Sequence, residues 1–189
     1  MGRKRTFDEE AVMAGALIAF REHGYAGLSV KALEAATQVS SGSLYNAYGD
    51  KEGLYAAVFD FYFQKVIDPR IGSAQTLDDL EKVALDLFNP PFSDGFGCMV
   101  TNAAIEFGDS AGVGGAFAGR GLDTIEAAAL RAVSAEMGPG NDHAALRIVL
   151  LYQGMLVLTR AGRLSDAYKA AVTAEFDHLR GQRNSLSQR

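Results

Sequence analysis

Helical periodicity runs through almost the whole chain, and no segment offers a competing strand pattern. Apolar residues recur at three- and four-residue spacing, as in Val12, Ala16 and Phe20 or Leu54, Val58, Phe61 and Tyr62. No Asn-Gly or Asp-Gly turn sits between alternating runs. Punctuating residues divide the pattern into nine stretches. Thr6-Phe7-Asp8-Glu9 has the form of a capping box opening the first helix, which Gly24 closes. Ser29 caps a short second helix through Ala36, Ser40 or Ser41 a third to about Tyr48, and Asp50 a fourth that Pro69 ends. Five more follow: Thr76 to Phe88, stopped by Asn89-Pro90-Pro91, then about Gly97 to Phe107, about Gly114 to Met137, His143 to Ala161, and Ser165 to about Leu179. The expected fold class is all-α. A helical module occupies residues 1–55 and a larger helical domain residues 56–181, with a hinge near Asp68 to Ser73 and a disordered tail over 182–189.

A length of 189 residues, 48% of them hydrophobic, suits one sizeable core or two small ones and excludes a disordered chain. The one cysteine, Cys98, rules out an internal disulfide framework and a cysteine-rich zinc module. His23, His143 and His178 are far apart in sequence, so neither a metal nor another cofactor is expected. No stretch approaches the roughly 18–20 apolar residues that span a bilayer. Asp8, Glu9 and Glu10 follow the basic start where a signal peptide requires an apolar run, so the expected location is the cytoplasm, with no membrane partner. The net charge of -5 taken alone speaks against a nucleic-acid partner. Its distribution alters that reading. Residues 1–55 hold six basic and seven acidic side chains, and the basic ones include an arm, Arg3, Lys4 and Arg5, with Lys31 and Lys51 flanking the third helix.

The second and third helices have the dimensions of a helix-turn-helix. Val30, Leu33 and Leu44 are the apolar residues that would lock them together. The exposed face of the third helix would then carry Ser41, Gly42, Ser43, Tyr45, Asn46 and Tyr48, whose hydroxyls and carboxamide can hydrogen-bond phosphates or base edges. Pattern alone leaves a plain helix pair equally open.

Ala19-Phe20-Arg-Glu-His-Gly-Tyr25, Leu28-Ser29-Val30, Val39-Ser40, Gly42-Ser43-Leu44-Tyr45 and Lys51-Glu52 together resemble the signature of the TetR family of transcriptional regulators, over roughly residues 7–62. The resemblance implies a nine-helix, all-α homodimer that binds a double-stranded DNA operator. It places Ser29 and Lys31 on phosphates, and Ser41, Gly42, Ser43, Tyr45 and Asn46 in or beside the major groove. Tyr48 and Lys51 would hold the DNA backbone, and the Arg3-Lys4-Arg5 arm would reach phosphates or the minor groove. Two residues depart from the pattern. Gln38 stands where relatives often carry glycine, and a left-handed backbone there would cost on the order of 1 kcal/mol. Ser41 stands where relatives often carry arginine, which removes a guanine reader worth roughly 1–3 kcal/mol or a phosphate clamp.

The remaining helices are expected to sense a ligand and to dimerise. Ala144 to Leu158 is apolar nearly all round, so it must be buried on more than one face, and the last helix bears a stripe at Tyr168, Val172, Phe176 and Leu179. These two helices would form the homodimer contact, which Val149→Asp or Phe176→Asp would be expected to break. A monomeric domain with a buried central helix is the other reading. Gly97-Cys-Met-Val-Thr-Asn-Ala-Ala-Ile-Glu106 resembles a Gly-Cys-x-x-x-Asn-x-x-x-Glu segment of a TetR branch that includes electrophile- and acrylate-responsive regulators. Cys98, Asn102 and Glu106 share one helical face, as a pocket wall or a buried network. Cys98 is either a nucleophile activated at a helix start or a small buried apolar residue. Tyr152, Gln153 and Arg147 interrupt the next helix with polar groups, of which Tyr152 and Gln153 join the expected ligand set and Arg147 reads better as a surface residue. Gly112 to Gly121 reads as a flexible connection and loose helix start.

No Ser/His/Asp arrangement, metal-ligand spacing, phosphate loop or paired carboxylates stand out, so no catalytic residue is assigned and an enzyme is not expected. The sequence reading is a ligand-responsive repressor, released from a palindromic operator by a small-molecule inducer. A TetR-fold architectural factor without a ligand and a small all-α enzyme are the alternatives.

Overall fold

The computed structural model describes residues 7–110 and 112–186, the side chain of Leu186 excepted. Arg3, Lys4, Arg5 and Thr6 lie outside that range. Nine α-helices and no strand occur among the described residues. Two compact units share them: Met1–Lys65 with Cys98–Gly119, and Val66–Gly97 with Arg120–Arg189. The division expected at residue 55 is therefore not where the packing divides, because a later helix returns to the first unit.

The first unit begins with α1 (Glu9–Gly27), whose N-cap is Asp8. The Asp8 carboxylate accepts the N–H groups of Glu10 and Ala11, at 3.0 and 3.3 Å, so the cap falls two residues beyond the expected Thr6. Val12, Met13, Ala16, Ala19 and Phe20 form its buried stripe. Gly24 breaks the helical conformation at φ 73°, ψ 172°, and one short turn follows. Ser29 caps α2 (Val30–Thr37), Ser40 caps α3 (Ser41–Tyr48), and Asp50 caps α4 (Lys51–Tyr62). A Cβ at Gly15 of α1 would overlap the Ala36 carbonyl oxygen of α2, so glycine permits that close approach. α6 (Met99–Phe107) and the opening turns of α7 (Val113–Met137) complete the unit.

Pro69 does not end the fourth helical segment. α4 continues as a π-helix over Phe63–Gly72 with Pro69 inside it, and Ile67 and Ile71 are buried. The wider turn relieves the clash between a proline ring and the carbonyl four residues back, and the two isoleucines anchor what was expected to be a hinge. Likewise the glycine-rich run beyond Gly112 is helical rather than a flexible connection. Gly114 packs so closely on the Phe107 ring that a Cβ would overlap it.

In the second unit, Thr76 and Asp79 form a reciprocal capping box on α5 (Leu77–Leu85). The Gln75 N–H and the Thr76 cap hold the Asp79 carboxyl below its ordinary value. A 3-10 turn, Asp86–Phe88, follows, and then α8 (Asp142–Arg160) and α9 (Asp166–Leu186). α9 runs past the expected stop at Leu179, so residues 182–186 are helical. Arg180 on α9 joins Asp78 at 2.7 Å and also Glu81, both on α5. Glu136 accepts from Arg183 and, at 2.7 Å, from the Leu77 N–H. Val172, Phe176 and Leu179 are buried in this unit's own core. They are not a free stripe on α9, which corrects the expectation that Phe176 belongs to a dimer contact.

Candidate nucleic-acid interface and ligand cavity

Leu33 and Leu44 are buried and join α2 to α3, whereas Val30, the third residue expected to lock them, is exposed. A polar link does the additional work. The Ser41 N–H at the start of α3 donates to Glu34 Oε1 on α2 at 2.6 Å. That bond, with a second from the Ser41 side chain, holds the Glu34 carboxyl below its ordinary value. Side-chain types alone do not display this link, although Glu34 and Ser41 sit seven residues apart across a short turn, the distance at which one side chain can cap the next helix. Gln38 closes α2 in the left-handed region, φ 57°, ψ 25°. Its N–H bonds the Glu34 carbonyl at 2.9 Å and its side chain the Ala35 carbonyl at 2.6 Å.

Along α3, Gly42 and Asn46 are exposed and Ser41, Ser43 and Tyr45 half-buried. A Cβ at Gly42 would meet nothing within 4 Å, so space lies open there. Ser29 and Lys31 at the start of α2 are exposed as well. Two expected contact residues are differently placed. The Tyr48 hydroxyl is buried. Lys51 donates to the Leu28 carbonyl at 2.6 Å, and its ammonium lies 4.9 Å from the centre of the Tyr25 ring. Lys51 thus braces the turn into α2.

The polar stripe of α6 faces the broken end of α1. Cys98 is the N-cap of α6, 4% exposed, and its Sγ accepts the Tyr62 hydroxyl at 3.3 Å. Asn102 donates to the Arg21 carbonyl at 3.3 Å, and Glu106 accepts the N–H groups of Tyr25 and Ala26 at 2.8 and 2.6 Å. These side chains satisfy the backbone groups that Gly24 releases from α1. The four-residue spacing was legible, but not that it faces a frayed helix end.

Tyr152 and Gln153 belong to the second unit. Tyr152 lines a cavity of about 20 Å³ with Ile71, Leu80, Ile125, Ile148 and Phe176. That is room for about one water, in an almost wholly apolar setting. Gln153 is half-buried, and Arg147 pairs with Glu175. On α8, Leu146, Leu150 and Val157 are exposed, Leu150 by 72%, and α9 adds exposed Tyr168. His143 and His178 share the rim of one open depression. No group of three potential metal ligands occurs among the described residues. No described helix is long and apolar enough to cross a membrane.

Residues 12–58 match the family model described as bacterial regulatory proteins, tetR family. The HTH-type transcriptional repressor AcnR of Corynebacterium glutamicum is 42% identical over 57 residues, which is 30% of this chain and 30% of that protein. The HTH-type transcriptional repressor ComR of Escherichia coli is 38% identical over 64 residues, 34% of this chain and 30% of its own. The sequence match to these curated relatives thus covers less than a third of their length. Among solved structures, a cysteine-substituted form of the TetR family transcriptional regulator CifR, complexed with 26-base-pair double-strand operator DNA, has a TM-score of 0.75 at 22% identity, over 93% of this chain and 98% of that one. Reduced NemR of Escherichia coli has a TM-score of 0.66 at 17% identity, over 91% and 95%. Both likenesses are of fold.

Proposed function

We propose, from the premise that this chain carries the DNA-binding segment of the TetR family and the fold of TetR-family regulators, that it is a cytoplasmic, ligand-responsive transcriptional repressor rather than an enzyme. The observation that carries the reading is α3 itself, whose Ser41, Gly42, Ser43, Tyr45 and Asn46 are accessible over an open Gly42 while Leu44 anchors the helix from beneath. Those five residues are assigned to the major groove, Ser29 and Lys31 to phosphates, and Arg3, Lys4 and Arg5 to an arm that reaches phosphates or the minor groove. Tyr48 and Lys51 act chiefly by holding α3 and the turn into α2 in place. One helix reads too few base pairs for specificity, so the protein acts as a homodimer on a palindromic operator. The exposed Leu146, Leu150 and Val157 of α8, with Tyr168 of α9, support that partner contact.

The ligand enters at Tyr152 and Gln153. A cavity of about 20 Å³ cannot take an inducer without parting its walls, so binding favours a different packing of that unit. Operator and ligand then weaken each other's binding to the same extent. Asn102 and Glu106 join this response through their hold on α1, and Cys98 through its bond with Tyr62. The small cavity is also what an architectural factor without a ligand would show.

Gel-shift titration tests the reading. Tyr45→Ala is expected to weaken binding to a selected palindromic operator about ten-fold, within the roughly 1–3 kcal/mol of one groove contact, at unchanged melting temperature. Wild-type affinity in that variant removes α3 from the groove. Failure of any small molecule to release the complex favours the architectural factor.

A further inference from the structure

A chamber of about 180 Å³ opens within the first unit, lined by Tyr25, Glu52, Tyr55, Phe107, Val113 and Gly114 among others. Its three rings stand inclined to one another. Tyr25 and Tyr55 have centres 5.1 Å apart at 62°, Tyr25 and Phe107 5.6 Å at 53°, and Tyr55 and Phe107 5.9 Å at 47°. Rings at these distances and angles pack edge to face or tilted on one another, and all three line the chamber. Gly114 is what lets the third wall stand, since a Cβ there would overlap the Phe107 ring.

Glu52 is exposed and is the charged side chain among the lining residues. The charges nearby are carboxylates and one ammonium. Burial first, and then the carboxylates of Glu52 and Asp50, with Tyr45 and Glu106, push the Tyr25 hydroxyl above its ordinary value. Burial and Glu106 do the same to Tyr55. Tyr25 already holds one cation over its ring, the ammonium of Lys51.

We propose that this chamber is a binding site for a small organic cation, an alkylammonium or quaternary ammonium group, received among the aromatic rings of Tyr25, Tyr55 and Phe107 and balanced by Glu52. The volume suits such a group, since a cavity of about 150 Å³ accepts a benzene-sized guest. An anion would meet Glu52 unfavourably, and a neutral guest would gain burial but no Coulomb attraction. The occupant would lie in the unit that contains the helix-turn-helix, against Tyr25, which directly follows the Gly24 break. The site does not depend on the repressor reading, because its occupancy is measured on the free protein.

The experiment titrates the full chain with choline and, separately, with 3,3-dimethylbutan-1-ol, in which carbon replaces the charged nitrogen. Choline is expected to bind about ten-fold more tightly than the alcohol, as a cation–π contribution of roughly 1–2 kcal/mol requires. Glu52→Gln, at an exposed position, is expected to lower choline affinity several-fold and leave the alcohol unchanged. Phe107→Leu keeps apolar bulk but removes a π face, and is expected to lower the choline preference in protein whose circular dichroism is that of wild type. Equal affinity for the two compounds, no saturable binding of choline, or full choline affinity in Glu52→Gln would each overturn the proposal.

Discussion

Gln38 holds a backbone conformation that an L side chain adopts only at a cost, on the order of 1 kcal/mol, because its Cβ crowds the following carbonyl. The turn between α2 and α3 nevertheless keeps it, and the Gln38 side chain returns part of the cost by donating to the Ala35 carbonyl. The strain was legible from sequence as a condition, a glutamine where glycine is usual, and the observed φ of 57° meets that condition. Gln38→Gly removes the strain, loses the Ala35 bond and gives the unfolded chain more freedom to lose. The expected balance is a gain of about 0.5 kcal/mol, or a melting temperature higher by about 1–2 °C in a thermal scan. A lower melting temperature would mean that the Ala35 bond outweighs the strain. Ser41 has no cation to offer DNA, but its backbone N–H is committed to Glu34, which no reading of side-chain chemistry alone could reveal.

At the scale of elements, that Glu34–Ser41 bond makes the pairing of α2 with α3 depend on pH. The folded carboxyl lies below its ordinary value, chiefly because the Ser41 N–H favours the ionised form. Its stabilisation is therefore fully present above the usual carboxylate range and is lost as pH falls through the lower folded value. Urea unfolding followed from neutral pH down to pH about 3 should show a shallower acid loss in Glu34→Gln than in wild type, with the two converging at the acid end. Parallel curves would detach the carboxylate from the pairing. Element starts were the most legible feature of the chain, because Ser29, Ser40, Asp50 and Thr76 cap through chemistry that a sequence displays. The covering of each face was less so. Periodicity places Val30, Phe176 and Leu150 on apolar stripes, yet one is exposed, one is core and one stands open by 72%. Spacing on a helix does not say which other element arrives to cover it. The stripe of Cys98, Asn102 and Glu106 shows the same gap, as the four hydrogen bonds described for it all reach segments distant in sequence.

At the scale of the whole molecule, the proposed repressor would draw its affinity for DNA from pairing two chains, since Lys31 and Lys51 add few phosphate-binding cations and Lys51 is already engaged. Leu150→Asp is expected to yield a folded monomer, read by light scattering with an unchanged circular dichroism spectrum. Phe176→Asp, by contrast, buries a charge in the core and should cost the fold itself. A Leu150→Asp protein that remains dimeric would move the interface off α8. The two compact units also have a history in time, because neither is one continuous stretch of chain. The first needs Cys98–Gly119 to finish its packing, and 32 residues of the second, Val66–Gly97, come before them. On a ribosome adding about 5–20 residues per second, the helix-turn-helix emerges seconds before the glutamate that holds Tyr25 and the phenylalanine that packs on Tyr55. A nascent chain shorter than residue 119 would thus carry α3 on an incomplete scaffold, and the proposed recognition of DNA would ripen only as the later part of the protein is made.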